Sequence, residues 1–86
     1  MNWYQIEKLA LRQYKERVFL KKLRRLGCYF IRRGGGGKSS HEIWFCPYLG
    51  KVITVPIKGV GDIDPNLANK IITHDMALTQ QQFNAA

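Results

Sequence analysis

The sequence predicts an α+β domain of order α-β-β-β-α. Three observations carry that expectation. Residues 3–26 form a basic, amphipathic stretch without Pro or Gly. Three short strand-like runs, separated by turn residues, lie between Cys28 and Pro56. Asp64-Pro65 then reads as a helix start, with Asp as N-cap and Pro in the first turn. A length of 86 residues leaves room for one domain with a modest core. An apolar share of 45% belongs to a folded chain and not to a disordered tail.

In the first element, Ile6, Leu9, Ala10, Tyr14, Val18, Leu23 and Leu26 follow a rough three-to-four spacing, and Gly27 is its stop. One long helix and two pieces broken near residues 13–16 both fit this pattern. Residues 28–33 read as a strand that ends in Arg32-Arg33. Residues 34–37 are four glycines, which cost conformational entropy to order. Residues 41–46 are the second strand, residues 47–50 a turn, and residues 51–56 a β-branched third strand closed by Pro56. Short connections imply an antiparallel meander. Residues 57–64 read as a loop. Leu67, Ala68, Ile71, Ile72 and Met76 form the buried stripe of the second helix. Thr79 with Gln82 is a capping-box signature for a short final helix that Phe83 would dock.

Two helices on one face of a three-stranded sheet is the economical packing, and it leaves the other face open to a ligand or partner. Double-stranded RNA-binding domains share this layout and read duplex shape and phosphates.

Charge narrows the partner. The net charge is +8, and it is uneven: Lys8 to Lys38 holds eleven Lys or Arg against one acid, Glu16. Such a segment favours a polyanion, above all nucleic acid. No apolar run reaches the roughly 18 residues of a membrane helix, and Met1 to Leu11 lacks the order of a secretory signal. A cytoplasmic location is expected. Cys28 and Cys46 are too few and too far apart for a structural zinc site, and neither His41 nor His74 completes a known spacing. They read as free thiols that come near each other if the first two strands pair. Gly37-Lys38-Ser39 is not a P-loop, because the first glycine of that pattern would fall on Arg32.

His41 is the candidate for chemistry. It follows Lys38-Ser39-Ser40 at a strand start, in the basic part of the chain. Imidazole exchanges protons near neutrality. RNA cleavage needs such transfers: the 2′-hydroxyl loses a proton and the leaving 5′-oxygen gains one. Arg32, Arg33, Lys38 and Lys58 can supply cations for the phosphate, and Ser40 joins them as an RNA-binding candidate. No cofactor is expected, and no carboxylate cluster is present to hold a metal. A lone His at a strand start is more often a surface or hydrogen-bonded residue than a catalyst, and His74 reads as structural or interfacial. Tyr29, Trp44, Phe45 and Tyr48 suit base stacking or the core. Strand alternation sets His41, Ile43 and Phe45 against Glu42, Trp44 and Cys46. A bulge near Ser39 or Ser40 would re-aim His41 independently of the other two.

These pieces in order resemble the HicA, or YcfA-like, toxins. The resemblance rests on Leu23-Arg24-Arg25-Leu26-Gly27, Tyr29-Phe30, Ser40-His41-Glu42-Ile43-Trp44, Ile53-Thr54-Val55-Pro56 and the Asp64-Pro65 helix, across residues 18–77. It implies a double-stranded-RNA-binding-domain-like fold. It also implies a metal-independent endoribonuclease, or mRNA interferase, with His41 as catalytic histidine. A HicB-type antitoxin would cover the RNA-cleaving surface. The chain departs from the pattern at Ser39, where a glycine is usual, and at Ile57-Lys58, where a His is frequent. Residues 1–14 are expected to be a helical extension and residues 15–86 the functional domain. A non-catalytic RNA-binding module and a protein- or DNA-binding module are the competing readings.

Overall fold

The computed structural model describes residues 12–34, 41–59 and 61–86. In chain order they form β1 (Tyr14–Lys15), α1 (Glu16–Arg25), β2 (Tyr29–Arg33), β3 (His41–Cys46), β4 (Lys51–Pro56), β5 (Asp62–Ile63), α2 (Pro65–Lys70) and α3 (Gln80–Asn84). A π-helical turn over Ile71–Asp75 continues α2. The sheet is an antiparallel meander in the order β2-β3-β4. The expected α-β-β-β-α architecture is present, with a two-stranded ladder of β1 and β5 added.

That added ladder corrects the sequence reading in two places. Tyr14 and Lys15 are extended, not helical, and pair with Ile63 and Asp62. The stretch 57–64 is therefore not all loop. The helix begins only at Glu16, whose backbone N–H donates to the Gly61 carbonyl at 2.8 Å. The part of the expected helix before residue 12 lies outside the described residues. Restarting the helix at Glu16 resets its phase. Phe19 and Leu23 fill the buried stripe, while Val18, expected inside, is exposed. Tyr14 still reaches the core, because its ring meets the edges of Phe19 and Phe83 at centroid distances of 5.7 and 5.4 Å.

Gly27 stops α1 as expected, at φ 89°. The N–H of Cys28 donates to the Leu23 carbonyl and that of Gly27 to Arg24, both at 2.9 Å. These paired bonds satisfy carbonyls that the helix end would orphan, and the left-handed residue suits glycine. Gly50 takes a positive φ, 68°, in the turn between β3 and β4.

α2 starts as read from the sequence. Asp64 accepts from the Asn66 N–H at 2.9 Å, and Pro65 occupies the first turn. Ala68, Ile71, Ile72 and Met76 are buried, but Leu67 faces outward, contrary to expectation. Met76 N–H donates to the Ile71 carbonyl at 2.8 Å, a five-residue step that marks the π turn. The chain leaves through Ala77 at φ 56° and enters α3 through a complete capping box. Gln82 N–H donates to Thr79 Oγ1 at 3.0 Å, and Thr79 N–H donates to Gln82 Oε1 at 2.9 Å.

The core lies between one sheet face and the helices. Phe19 and Leu23 from α1, Trp44 and Cys46 from β3, Ile53 and Val55 from β4, and the α2 stripe form one cluster with Phe83. Cys28 and Cys46 are free thiols, buried, with their sulfurs 2.9 Å apart. Burial pushes both thiols up, Cys46 to about 12, where its bond to Cys28 adds to the effect. No helix among the described residues is long and apolar enough to cross a membrane.

Phe83 closes the aromatic cluster from a helix of only five residues, so α3 depends on that ring. Phe83→Ala is expected to cost about 3–5 kcal/mol, read as a lowered urea midpoint for the whole domain. An unchanged midpoint would show that α3 is dispensable to the core.

Candidate active site

β3 sets the site. Its side chains alternate, and Glu42, Trp44 and Cys46 are buried while His41 is exposed and Ile43 and Phe45 are half-buried on the opposite face. Trp44 is 1% exposed. Its indole N–H donates to Glu42 Oε1 at 3.0 Å, and the Arg24 guanidinium sits 5.5 Å from its ring centroid. His41 pairs with Pro56 of β4. Its carbonyl accepts the Gly34 N–H at 2.7 Å, which ties the end of β2 to the start of β3. His41 therefore stands on the face that the helices do not cover, together with Ile43 and Phe45. The bulge expected near Ser39 or Ser40 lies outside the described residues, as do Lys38 and Ser40 themselves.

A bulge does occur, on the neighbouring strand. The β2–β3 register shifts between Phe30 and Arg32. Phe30 pairs with Trp44, then Arg32 with Ile43 and Arg33 with Glu42. Ile31 is the extra residue. Arg32 consequently shares the open face with His41, one diagonal step away, a spacing of about 7–8 Å that a long side chain spans. Arg33 goes to the other face, where its Nη2 lies 3.9 Å from Glu42 Oε2. The two adjacent arginines, grouped together in the sequence reading, thus face opposite ways.

Lys58 is exposed two residues beyond Pro56, the ladder partner of His41. Its backbone N–H donates to Glu16 Oε2 at 2.7 Å, and Gly61 N–H donates to Glu16 Oε1 at 3.4 Å. Glu16 is buried and ties both Lys58 and Gly61 to the first turn of α1. Sequence reasoning counted Glu16 only as an acid in a basic segment. Its isolation among cations at a helix start was the available signal. Arg17, Lys21 and Arg24 line one exposed side of α1 with Val18. Lys22 is structural instead: its ammonium donates to the carbonyls of Asn84 and Ala86 at 2.9 and 3.1 Å. His74 is exposed in the π-helical turn. Among the described residues, no three His, Cys, Asp or Glu side chains gather where they could hold a metal ion.

A family model described as HicA toxin of bacterial toxin-antitoxin matches residues 17–76. The chain belongs to the HicA toxin family. No curated protein and no solved structure matches it. The matched region runs from α1 through the meander to the end of the π-helical turn, so it contains every described element around His41. The family implies an RNase-type toxin that pairs with an antitoxin.

Glu16 holds the Lys58 segment of this HicA protein through the backbone N–H groups of Lys58 and Gly61. Glu16→Ala leaves two of those donors without their carboxylate partner and is expected to cost about 1–3 kcal/mol. Chemical denaturation reads that loss. A stability equal to the parent would show that water replaces the carboxylate without penalty.

Proposed function

We propose that this HicA protein is a metal-independent endoribonuclease toxin, with His41 as the proton-transfer residue. The observation that carries this reading is the placement of His41. It is exposed, held through its backbone on both sides of β3, and set on the open sheet face one diagonal step from Arg32.

The chemistry follows from the substrate. RNA carries its own nucleophile, the 2′-hydroxyl. Its oxygen attacks the adjacent phosphorus while the bond to the 5′-oxygen breaks, giving a 2′,3′-cyclic phosphate and a free 5′-hydroxyl. One proton leaves the 2′-oxygen and one arrives at the 5′-oxygen, and an imidazole can serve either transfer near neutral pH. Negative charge that grows on the phosphoryl oxygens calls for a cation aimed at them, the part Arg32 takes in this reading. Lys58, together with Lys38 and Ser40, would contact the RNA backbone beside His41. Arg33, paired with Glu42 on the other face, would act on RNA only at the sheet edge.

A HicB-type antitoxin is the proposed inhibitor, an acidic protein that covers this surface, since the segment from Lys8 to Lys38 is strongly basic. The cytoplasm is the proposed compartment. Cys28 and Cys46, read as free thiols, suit a reducing environment.

His41→Ala is expected to lower RNA cleavage by about 10²–10⁴-fold and to abolish growth arrest on induction, with RNA binding retained. Wild-type cleavage is expected to persist in EDTA. Full activity in cleanly purified His41→Ala would overturn the role of His41, and loss of wild-type activity in EDTA would overturn metal independence. The antitoxin reading predicts that the neighbouring reading frame encodes a small acidic protein that co-purifies with the toxin and suppresses cleavage. Its release by moderate salt without restored cleavage would count against a shared surface.

A further inference from the structure

The open sheet face carries more than His41. Tyr29 pairs with Phe45, and their ring centroids are 5.6 Å apart at 49°. Tyr29 is 51% exposed, and Val52, paired with Phe45 from the other side, is 53% exposed. Ile43 and Thr54 continue the same face toward His41, and Arg32 stands beside Ile43. The result is an apolar and aromatic platform at one end of the face, an arginine in the middle and the histidine at the other end. Phe45 and His41 are four residues apart on one strand, about 13 Å.

A platform of this kind needs an occupant. None of the side chains that β2, β3 and β4 place on this face is acidic, because Glu42, the single carboxylate of the three strands, turns inward to Trp44. Aromatic rings next to a cation, without carboxylates, suit unpaired bases joined by phosphates. Ring faces stack on bases of any sequence, and the guanidinium takes the phosphate between them. Duplex RNA hides its base faces and gains nothing from exposed rings.

We infer that Tyr29 and Phe45 are substrate-binding residues that stack the bases of single-stranded RNA and lead the strand past Arg32 to His41. The inference rests on the ribonuclease reading above and adds the class of substrate, an unpaired strand. Trp44, the largest aromatic residue of β3, takes no part in it, because it is committed to the core.

The test is equilibrium binding in the His41→Ala background, where the probe is not consumed. The probes are a labelled oligouridylate and a labelled RNA duplex. Tyr29→Ala and Phe45→Leu are each expected to weaken oligouridylate binding about tenfold, to leave duplex binding within about twofold, and to leave the salt dependence unchanged. Tyr29→Phe is expected to bind as the parent does. Tyr29 is half-exposed and Leu fills the space beneath position 45, so thermal unfolding should report intact domains. Unchanged oligouridylate affinity would sink the inference, as would an equal loss on duplex. Intact RNA binding with lost capture of the co-purifying antitoxin would make the face a protein surface and also overturn it. The two readings fail separately. Stacking falls alone if both aromatic variants bind normally while His41→Ala still abolishes cleavage. The catalytic reading falls alone if wild type cleaves nothing yet binds oligouridylate through Tyr29.

Discussion

Trp44 decides which way β3 faces. Among the described residues the indole is the largest fully buried side chain, and its N–H would be an orphan in the core without Glu42 two residues back on the same face. Burying Trp44 commits Cys46 and Glu42 to the inside. Strict alternation then commits His41, Ile43 and Phe45 to the outside. A one-residue slip would bury the imidazole and expose the tryptophan. The exposed histidine is thus aimed by a residue that is itself buried in the core. Glu42 also lies 3.9 Å from the largely exposed Arg33 guanidinium, so one carboxylate serves both the indole and a cation at the sheet edge.

The bulge in β2 gives the complementary constraint. In an unbroken register Arg33 would stand directly across from His41 and Arg32 would pair with Glu42. The extra residue, Ile31, exchanges the two. A direct cross-strand pairing of guanidinium and imidazole would press two cations together whenever the histidine is protonated. The diagonal placement keeps Arg32 on the same face as His41 at a greater distance from the ring. An edge strand is where a sheet tolerates such an insertion, since the bulged residue loses no partner on its outer side.

Much of this architecture is legible in the sequence because its signals are local. The bounds of β3 and β4, the Gly27 stop, the Asp64-Pro65 start and the Thr79–Gln82 box each depend on residues a few positions apart, and each appears as read. The misreadings share another origin. Tyr14 continues the helical periodicity of the residues before it, yet it becomes strand because Ile63, far along the chain, offers a ladder partner. Val18 and Leu67 are apolar at helical spacing and still face outward, because the helix phase is set by tertiary contacts that periodicity does not contain. At the site, alternation grouped His41 with Ile43 and Phe45 but left open which face they take, and the burial of Trp44 decides it. The separation of Arg32 from Arg33 was not legible, since a bulge depends on the partner strand.

The segment after β4 shows how distant parts of the chain converge on the site. Glu16 receives the N–H groups of Lys58 and Gly61 on its carboxylate, while its own N–H meets the Gly61 carbonyl. Those bonds hold β5 against β1, and β1 presents Tyr14 to Phe19 and Phe83. The Tyr14 hydroxyl in turn meets the side-chain oxygens of Gln80 and Asn84 on α3, and Lys22 from α1 caps the carbonyls at the end of that helix. The path of Lys58 past the ladder partner of His41 is therefore tied, through Glu16 and Tyr14, to the docking of the C-terminal helix. A loop with two glycines would otherwise sample many paths. Burying the acid Glu16 within a basic segment is tolerated because backbone N–H groups donate to it, and what it stabilises is the path of the chain after β4.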